Sequence, residues 1–415
     1  MLEAPARRRA AGMLLAARAA YGFNWYNVGG VLPLIGTGLH ASTVELGIVL
    51  GAFLLGAGAM QLPAGFSAMR FGNRGVSLFG LSAMSIFTVA SAFSPSWTVL
   101  AALRFGAGAS AAFFFAPALG LVASYFPSGS RGPIVGLYNS GFSLGAGIGI
   151  FGGALLGDAV GWRSSLGLGG LLLVLATIAC IALLPKAATL PVSGRRDAWT
   201  ASRPVVRSRS LWCLAIALTG FWAAAYIAAQ YFVNYSNAVH PTWGLEVAAG
   251  VTTLLIAAQI LGGPAGGWIG ERARDMRRVL LGGGLACGLL TAAIPFLPLS
   301  GIWPLMAVLG FVIGVLFAVQ YLLPTYLAST HGEGVALSIA LLNSVQIFVG
   351  SGLAVAFAIV ASASGYTVAW LFAGAVTIAT LPFLVGVERR GPSAPGAPSA
   401  TEPPRPPPTP RHRPE

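Results

Sequence analysis

From residue 15 onward the chain is a succession of apolar runs, each long enough to cross a bilayer and separated from the next by a short polar turn. About 20 apolar residues span the hydrocarbon core as an α-helix. In lipid every backbone N–H and C=O must be satisfied within the protein, so such runs become helices or the strands of a closed barrel. Barrel strands would show segments of about 10 residues with alternating polarity, and these runs are continuous. They fall at 15–36, 46–69, 76–94, 98–122, 133–157, 164–185, 210–235, 246–270, 279–298, 303–327, 335–361 and 366–387. Only 8% of the residues are charged, against about 25% in ordinary soluble proteins. That is too few to cover a water-facing surface, so a soluble enzyme is excluded. A mean hydropathy of +0.79 excludes disorder for most of the length.

The net charge of +13 does not point to nucleic acid, because the basic residues follow the topology. With the N-terminus on the cytoplasmic side, the cytoplasmic flanks hold 22 of the 24 lysines and arginines, among them Arg7, Arg8 and Arg9 before the first run and Arg18 at its start. Only Arg163 falls in an outer loop, and only Arg104 well inside a run. This is the positive-inside pattern. It predicts a multi-pass protein of the cytoplasmic membrane with both termini cytoplasmic. The predicted segments are a cytoplasmic N-terminus (1–14), a six-helix bundle (15–185), a cytoplasmic linker (186–209), a second six-helix bundle (210–387) and a disordered Pro-rich cytoplasmic tail (388–415). Cys180, Cys213 and Cys287 lie within apolar runs, and no CxxC pair occurs. No metal or disulfide framework is expected. The four histidines lie in loops or the tail, so no enzyme-like cluster is expected. No GxxxxGK[ST] loop is present, so nucleotide-driven transport is not expected. No cofactor is implied.

The two halves repeat. Gly65 and Arg70 after the second run correspond to Gly267 and Arg272 after the eighth, at one spacing of 202 residues. Asn139 and Gly161 correspond to Asn343 and Gly365 at a spacing of 204. The predicted fold class is therefore an all-α polytopic membrane protein, with twelve transmembrane helices in two pseudo-symmetric six-helix bundles.

These motifs resemble those of the major facilitator superfamily of secondary transporters. The loop after the second run matches that family's G-x-x-x-D-R-x-G-R-R pattern at Gly65, Arg70, Gly72 and Arg74, with Met69 in place of the acid and Asn73 in place of the first arginine of the final pair. The second copy keeps the acid, as Gly267, Glu271 and Arg272. Arg104, Phe105, Gly106 and Gly108 match the fourth-helix motif, and Gly161, Trp162 and Arg163 are also typical. The fifth-helix antiporter motif is half met: Gly141, Gly145 and Gly149 fit, but Ala146 replaces its proline. The resemblance implies alternating access. Gly65, Arg70, Arg74, Gly267, Glu271 and Arg272 are then expected to gate the inner side. The stripe of Gly141, Gly145 and Gly149 is expected to let a helix of the other half approach closely.

Arg104 is the one ionisable side chain read as lying deep in a span, and a lipid-facing arginine there would cost several kcal/mol. It is therefore expected to face the interior, either as the site of an anionic substrate or as a brace for nearby carbonyls. No acid lies deep in a span, which disfavours both a cationic substrate and a proton symporter with a central carboxylate. The family resemblance puts the first, fourth, seventh and tenth helices around the cavity. Tyr21, Asn24 and Asn27 of the first span, and Trp222, Tyr226 and Gln230 of the seventh, are expected to line it. Gln259, Gln320, Tyr321, Asn343 and Gln346 would complete it, since amides in apolar spans need partners. The expected function is a monomeric transporter of a small organic solute, with an anion such as a carboxylate favoured. A coupling proton or a counter-substrate is left open. A drug or metabolite efflux antiporter of the same fold is the alternative, and a membrane sensor or integral-membrane enzyme would be of another class.

Overall fold

The structure, a computed structural model, describes residues 4–126, 128–185, 203–326 and 334–388. Among these, eleven helices are long and apolar enough to cross a membrane, and a broken first helix makes the twelfth crossing. That helix is α1 (Ala4–Gly30) followed by the short α2 (Leu32–Leu39). The local sequence GGVLP explains the break. Pro33 has no N–H to donate, and its ring crowds the carbonyl one turn earlier. It sits instead in the first turn of α2, where its fixed φ fits. α1 begins well before residue 15, so Arg18 lies in its middle rather than on a flank.

The second crossing, α3 (Thr43–Phe71), opens with a reciprocal cap: Ser42 Oγ accepts from the Glu45 N–H at 3.3 Å, and the Glu45 carboxylate accepts from the Ser42 N–H at 2.7 Å. The first half continues with α4 (Asn73–Ser91), α5 (Trp97–Tyr125), α6 (Ser128–Val160) and α7 (Trp162–Leu183). The second half contains α8 (Arg209–Val239), α9 (Leu245–Arg272), α10 (Met276–Ala293), α11 (Leu299–Leu322), α12 (Gly334–Ser364) and α13 (Tyr366–Thr380). Most of the linker expected at 186–209, and the tail from 389 onward, lie outside the described residues.

Helix neighbours repeat between the halves. α3 packs on α5 as α9 packs on α11; α1 on α6 as α8 on α12; α4 on α7 as α10 on α13. The two seams between the halves, α3 with α12 and α6 with α9, are exchanged by the same pseudo-symmetry. The turn glycines repeat as well. Gly161 and Gly365, which start α7 and α13, adopt φ of 90° and 85°, a region that favours glycine because it has no Cβ. The chain is thus a multi-pass α-helical membrane protein of two six-helix bundles.

The glycine stripe of α6 does not meet the other half. A side chain at Gly145 would strike the Ala19 carbonyl oxygen, one at Gly149 the Phe23 carbonyl oxygen, and one at Gly141 the Leu15 side chain. All three partners belong to α1 of the same bundle. The stripe lets two backbones within one half touch. The seam to the other half uses the neighbouring face of α6, where Thr253 Oγ1 of α9 donates to the Gly147 carbonyl at 3.3 Å. On the other seam, Gly51 and Gly58 of α3 lie against Ser351 and Phe348 of α12.

Candidate functional site

A cavity of about 120 Å³ lies between the halves. A cavity near 150 Å³ accepts a benzene ring, so this one is of the size of a single-ring molecule. It lies toward the end of the bundle that carries the arginine-rich loops. Gln61 falls in the second half of α3, Tyr321 at the end of α11 and Asn343 in the first third of α12. At the opposite end the halves are joined. Gln230 Nε2 of α8 donates to the Trp25 carbonyl at 2.6 Å, and Tyr226 Oη donates to the Leu50 carbonyl at 3.3 Å.

Arg18 is the charged group of this cavity. Its side chain is buried, with the residue 6% exposed. Its guanidinium carbon lies 4.4 Å from the Phe142 ring centre, 4.6 Å from Tyr21, 4.7 Å from Phe115 and 5.0 Å from Tyr138. Such rings attract a cation through their negative faces, but they do not replace hydrogen bonds. Nε and Nη1 of Arg18, both out of solvent, have no hydrogen-bond partner among the described residues. Among the described residues, no acid lines the cavity. A flat wall faces the same space: the Trp222 and Tyr226 rings are stacked at 5.8 Å with an 8° angle between them. Gln61, Gln259 and Asn343 bring amides to the rim, and Asn343 Oδ1 accepts from Tyr321 Oη at 2.6 Å. A single cation, aromatic walls and neutral amides together form a site that can hold an aromatic anion.

Of the residues expected from the sequence, Tyr21, Trp222, Tyr226, Gln259, Tyr321 and Asn343 line the cavity. The others lie elsewhere. Asn24 Nδ2 donates to the Gly169 carbonyl of α7 at 2.8 Å, and Asn27 faces the same glycine. Asn24 therefore binds the first and sixth crossings together within one bundle, and Asn27 packs against the same contact without a hydrogen bond of its own among the described residues. Gln230 belongs to the join at the closed end. Gln320 and Gln346 are bonded to each other, 3.0 Å apart, away from the cavity.

Arg104 is fully buried but does not line the cavity. Its Nη1 donates to the Asn24 carbonyl at 3.3 Å, and its guanidinium lies over the Phe53 ring at 4.2 Å. It braces α5 against α1 and α3. The expectation that it is the one ionisable side chain deep in a span is corrected by Arg18.

Among the described residues, no contact joins the loop residues expected to form the inner gate across the two halves. Arg70 lies over Phe71, and Arg272 lies over Trp268 and donates to its carbonyl, each within its own helix. Added Cβ atoms at Gly65 and Gly267 would meet nothing. Glu271 is exposed, and the one ion pair among the described residues joins Arg277 to Asp275 at 3.1 Å. Arg74 turns back to its own bundle, donating to the Leu184 and Ile181 carbonyls at 3.2 Å each.

Sequence reasoning missed Arg18, Trp25, Tyr26, Gln61, Phe115 and Phe142 of this cavity. A signal for part of it was present. At about 100° per residue, positions 18, 21 and 25 form one stripe of a helix, whereas 21, 24 and 27 drift off it.

Two bundles of six crossings with a polar-centred cavity at their seam define a membrane carrier of the rocker type. The sequence profile described as Major Facilitator Superfamily matches residues 14–350, and the chain belongs to that superfamily of transporters. The fold is also that of a bacterial homolog of the human lysosomal transporter Spinster, solved in an inward-facing, unoccupied conformation. The TM-score is 0.72 and the identity 17%, over 92% of this chain and 96% of that one. Among characterised relatives, the chain is 31% identical to the multidrug efflux protein YfmO of Bacillus subtilis, over 40% of this chain and 41% of that protein. It is 32% identical to a gallate transporter of Pseudomonas putida, over 36% and 34%. It is 31% identical to the 4-hydroxybenzoate transporter PcaK of Pseudomonas aeruginosa, over 39% and 36%. These matches span well under half the length of each relative.

Proposed function

We propose that this chain transports a small organic anion, a carboxylate borne on a single aromatic ring, by alternating access at the cavity between its halves. One observation carries the reading: a buried arginine, Arg18, whose Nε and Nη1 have no hydrogen-bond partner among the described residues, lines an aromatic-walled cavity that has no acid among those residues. A carboxylate supplies both the missing charge and two acceptor oxygens that match a guanidinium. The Trp222–Tyr226 wall suits an aromatic ring. Similarity to gallate and 4-hydroxybenzoate transporters supports the same chemistry. The arginine-rich loops are assigned to the cytoplasmic side, with bundles at 15–185 and 210–387. A second reading, export of a drug or metabolite, is favoured by the similarity to YfmO and by the half-matched glycine motif of α6.

A thermal-shift series on the purified full chain tests the first reading. Benzoate, 4-hydroxybenzoate and gallate are expected to raise the melting temperature, while aliphatic carboxylates do so weakly and aromatic amines not at all. Protection by amines alone, or by none of these compounds, would overturn it.

A further inference from the structure

We propose that the protein is an exchanger: once an anion has left, the halves return across the membrane only after another anion has entered. The proposal rests on the reading of Arg18 as the anion site and adds how the cycle is coupled.

The Arg18 guanidinium is enclosed by four rings, and its remaining open side is the cavity. In the arrangement seen here, the halves are sealed at the opposite end by the Gln230–Trp25 and Tyr226–Leu50 bonds. Reversing the cycle requires the arginine-rich end to close over the cavity. Nε and Nη1 of Arg18 are already out of water with no hydrogen-bond acceptor among the described residues, and that closure also takes water from the side of the residue that lines the cavity. Burying an unpaired cation is strongly unfavourable unless a partner charge comes with it.

The chain offers no such partner among the described residues. Glu45, Asp158 and Glu246 lie at the sealed end of the helices, and Glu271, Asp275 and Glu388 at the arginine-rich end. Arg104 adds to the penalty. It is a second buried guanidinium in the same bundle, with Nε and Nη2 also unpartnered. The Asn24 carbonyl and the Phe53 ring steady it in place. Closing the cavity without an anion would leave two cations sealed in one bundle, and a bound carboxylate halves that charge. The loaded carrier is thus the form able to swing, and the unloaded carrier waits.

The test uses the full chain reconstituted into liposomes, filled either with mannitol or with 4-hydroxybenzoate, and follows uptake of labelled 4-hydroxybenzoate. Uptake is expected to be at least about tenfold faster into the preloaded vesicles, the ratio given by a barrier difference of about 1.4 kcal/mol. Label trapped inside is expected to leave when unlabelled 4-hydroxybenzoate is added outside and to stay when mannitol is added. Equal uptake into both kinds of vesicle would overturn exchange and leave the anion site standing. Binding by the purified protein with no uptake into preloaded vesicles would also overturn exchange. The absence of both binding and uptake would overturn the anion reading itself, and exchange with it.

Discussion

Arg74 and Arg277 hold the same place in the two bundles. Arg74, at the start of α4, donates to the Leu184 carbonyl just past α7 at 3.2 Å. Arg277, at the start of α10, donates to the Val387 carbonyl beyond α13 at 2.9 Å. The step along the chain from 74 to 277 equals the step from 184 to 387. Each arginine meets the unsatisfied carbonyls and the negative dipole end of the last helix in its half. These are clamps within a bundle, and they keep it one body while the halves move.

Removing either clamp should therefore cost stability. Arg74→Ala and Arg277→Ala are each expected to lose about 1.5–3 kcal/mol, the range for a hydrogen bond made by a charged group. Thermal unfolding in detergent measures the loss, and anion affinity should stay at the wild-type value. Lost affinity with unchanged stability would return these arginines to the gate.

Asp275 supplies the pH dependence of the second clamp. Burial pushes its carboxyl up, but the Arg277 side chain and backbone N–H bonds outweigh that and hold it below its ordinary value. A depressed carboxylate stabilises the fold fully above its unfolded value, about 3.9, and that contribution is lost as the pH falls through the folded value. The melting-temperature gap between wild type and Asp275→Asn should be constant from neutral pH down to about 4 and shrink only below it. A gap that closes between neutrality and pH 5 would contradict this.

The contact of α6 with α1 predicts an intolerance. A methyl group at Gly145 would collide with the Ala19 carbonyl, which is backbone and cannot rotate away. Gly145→Ala should destabilise the bundle by about 1–3 kcal/mol, as overpacking does. Gly267→Ala, where the added carbon meets nothing, should be tolerated. Unfolding of both variants in detergent compares them directly.

Arg104 and Arg18 separate by what they do. Arg104→Met should leave 4-hydroxybenzoate affinity within about threefold, because Arg104 does not line the cavity, and should change the melting temperature in either direction, as replacing an incompletely paired buried charge does. An affinity loss as large as that of an Arg18 variant would place Arg104 in the site.

The crossings could be read from the sequence because lipid leaves the backbone no alternative to the helix over a long apolar run. The repeat could be read because turns at Gly161 and Gly365 demand glycine in both copies. The cavity was only partly legible. Trp222 and Tyr226 stand one helical turn apart and face it. Gln230, another turn along, has rotated by about 80° from Trp222 and has entered the zone where the halves touch. Arg18 looked like part of the basic flank, since nothing in its own segment tells that α1 starts as early as Ala4. The partner of the glycine stripe was not readable either. Small residues permit a close approach but do not name the helix that makes it.

Binding of labelled 4-hydroxybenzoate to the wild-type protein and to Arg18→Gln, each in detergent and each shown to melt cooperatively, bears most directly on the anion site between the halves. Losing a charge-assisted bond to a carboxylate should weaken binding at least about tenfold, with the fold retained. Wild-type affinity in Arg18→Gln would contradict the assignment of the cavity to an anion.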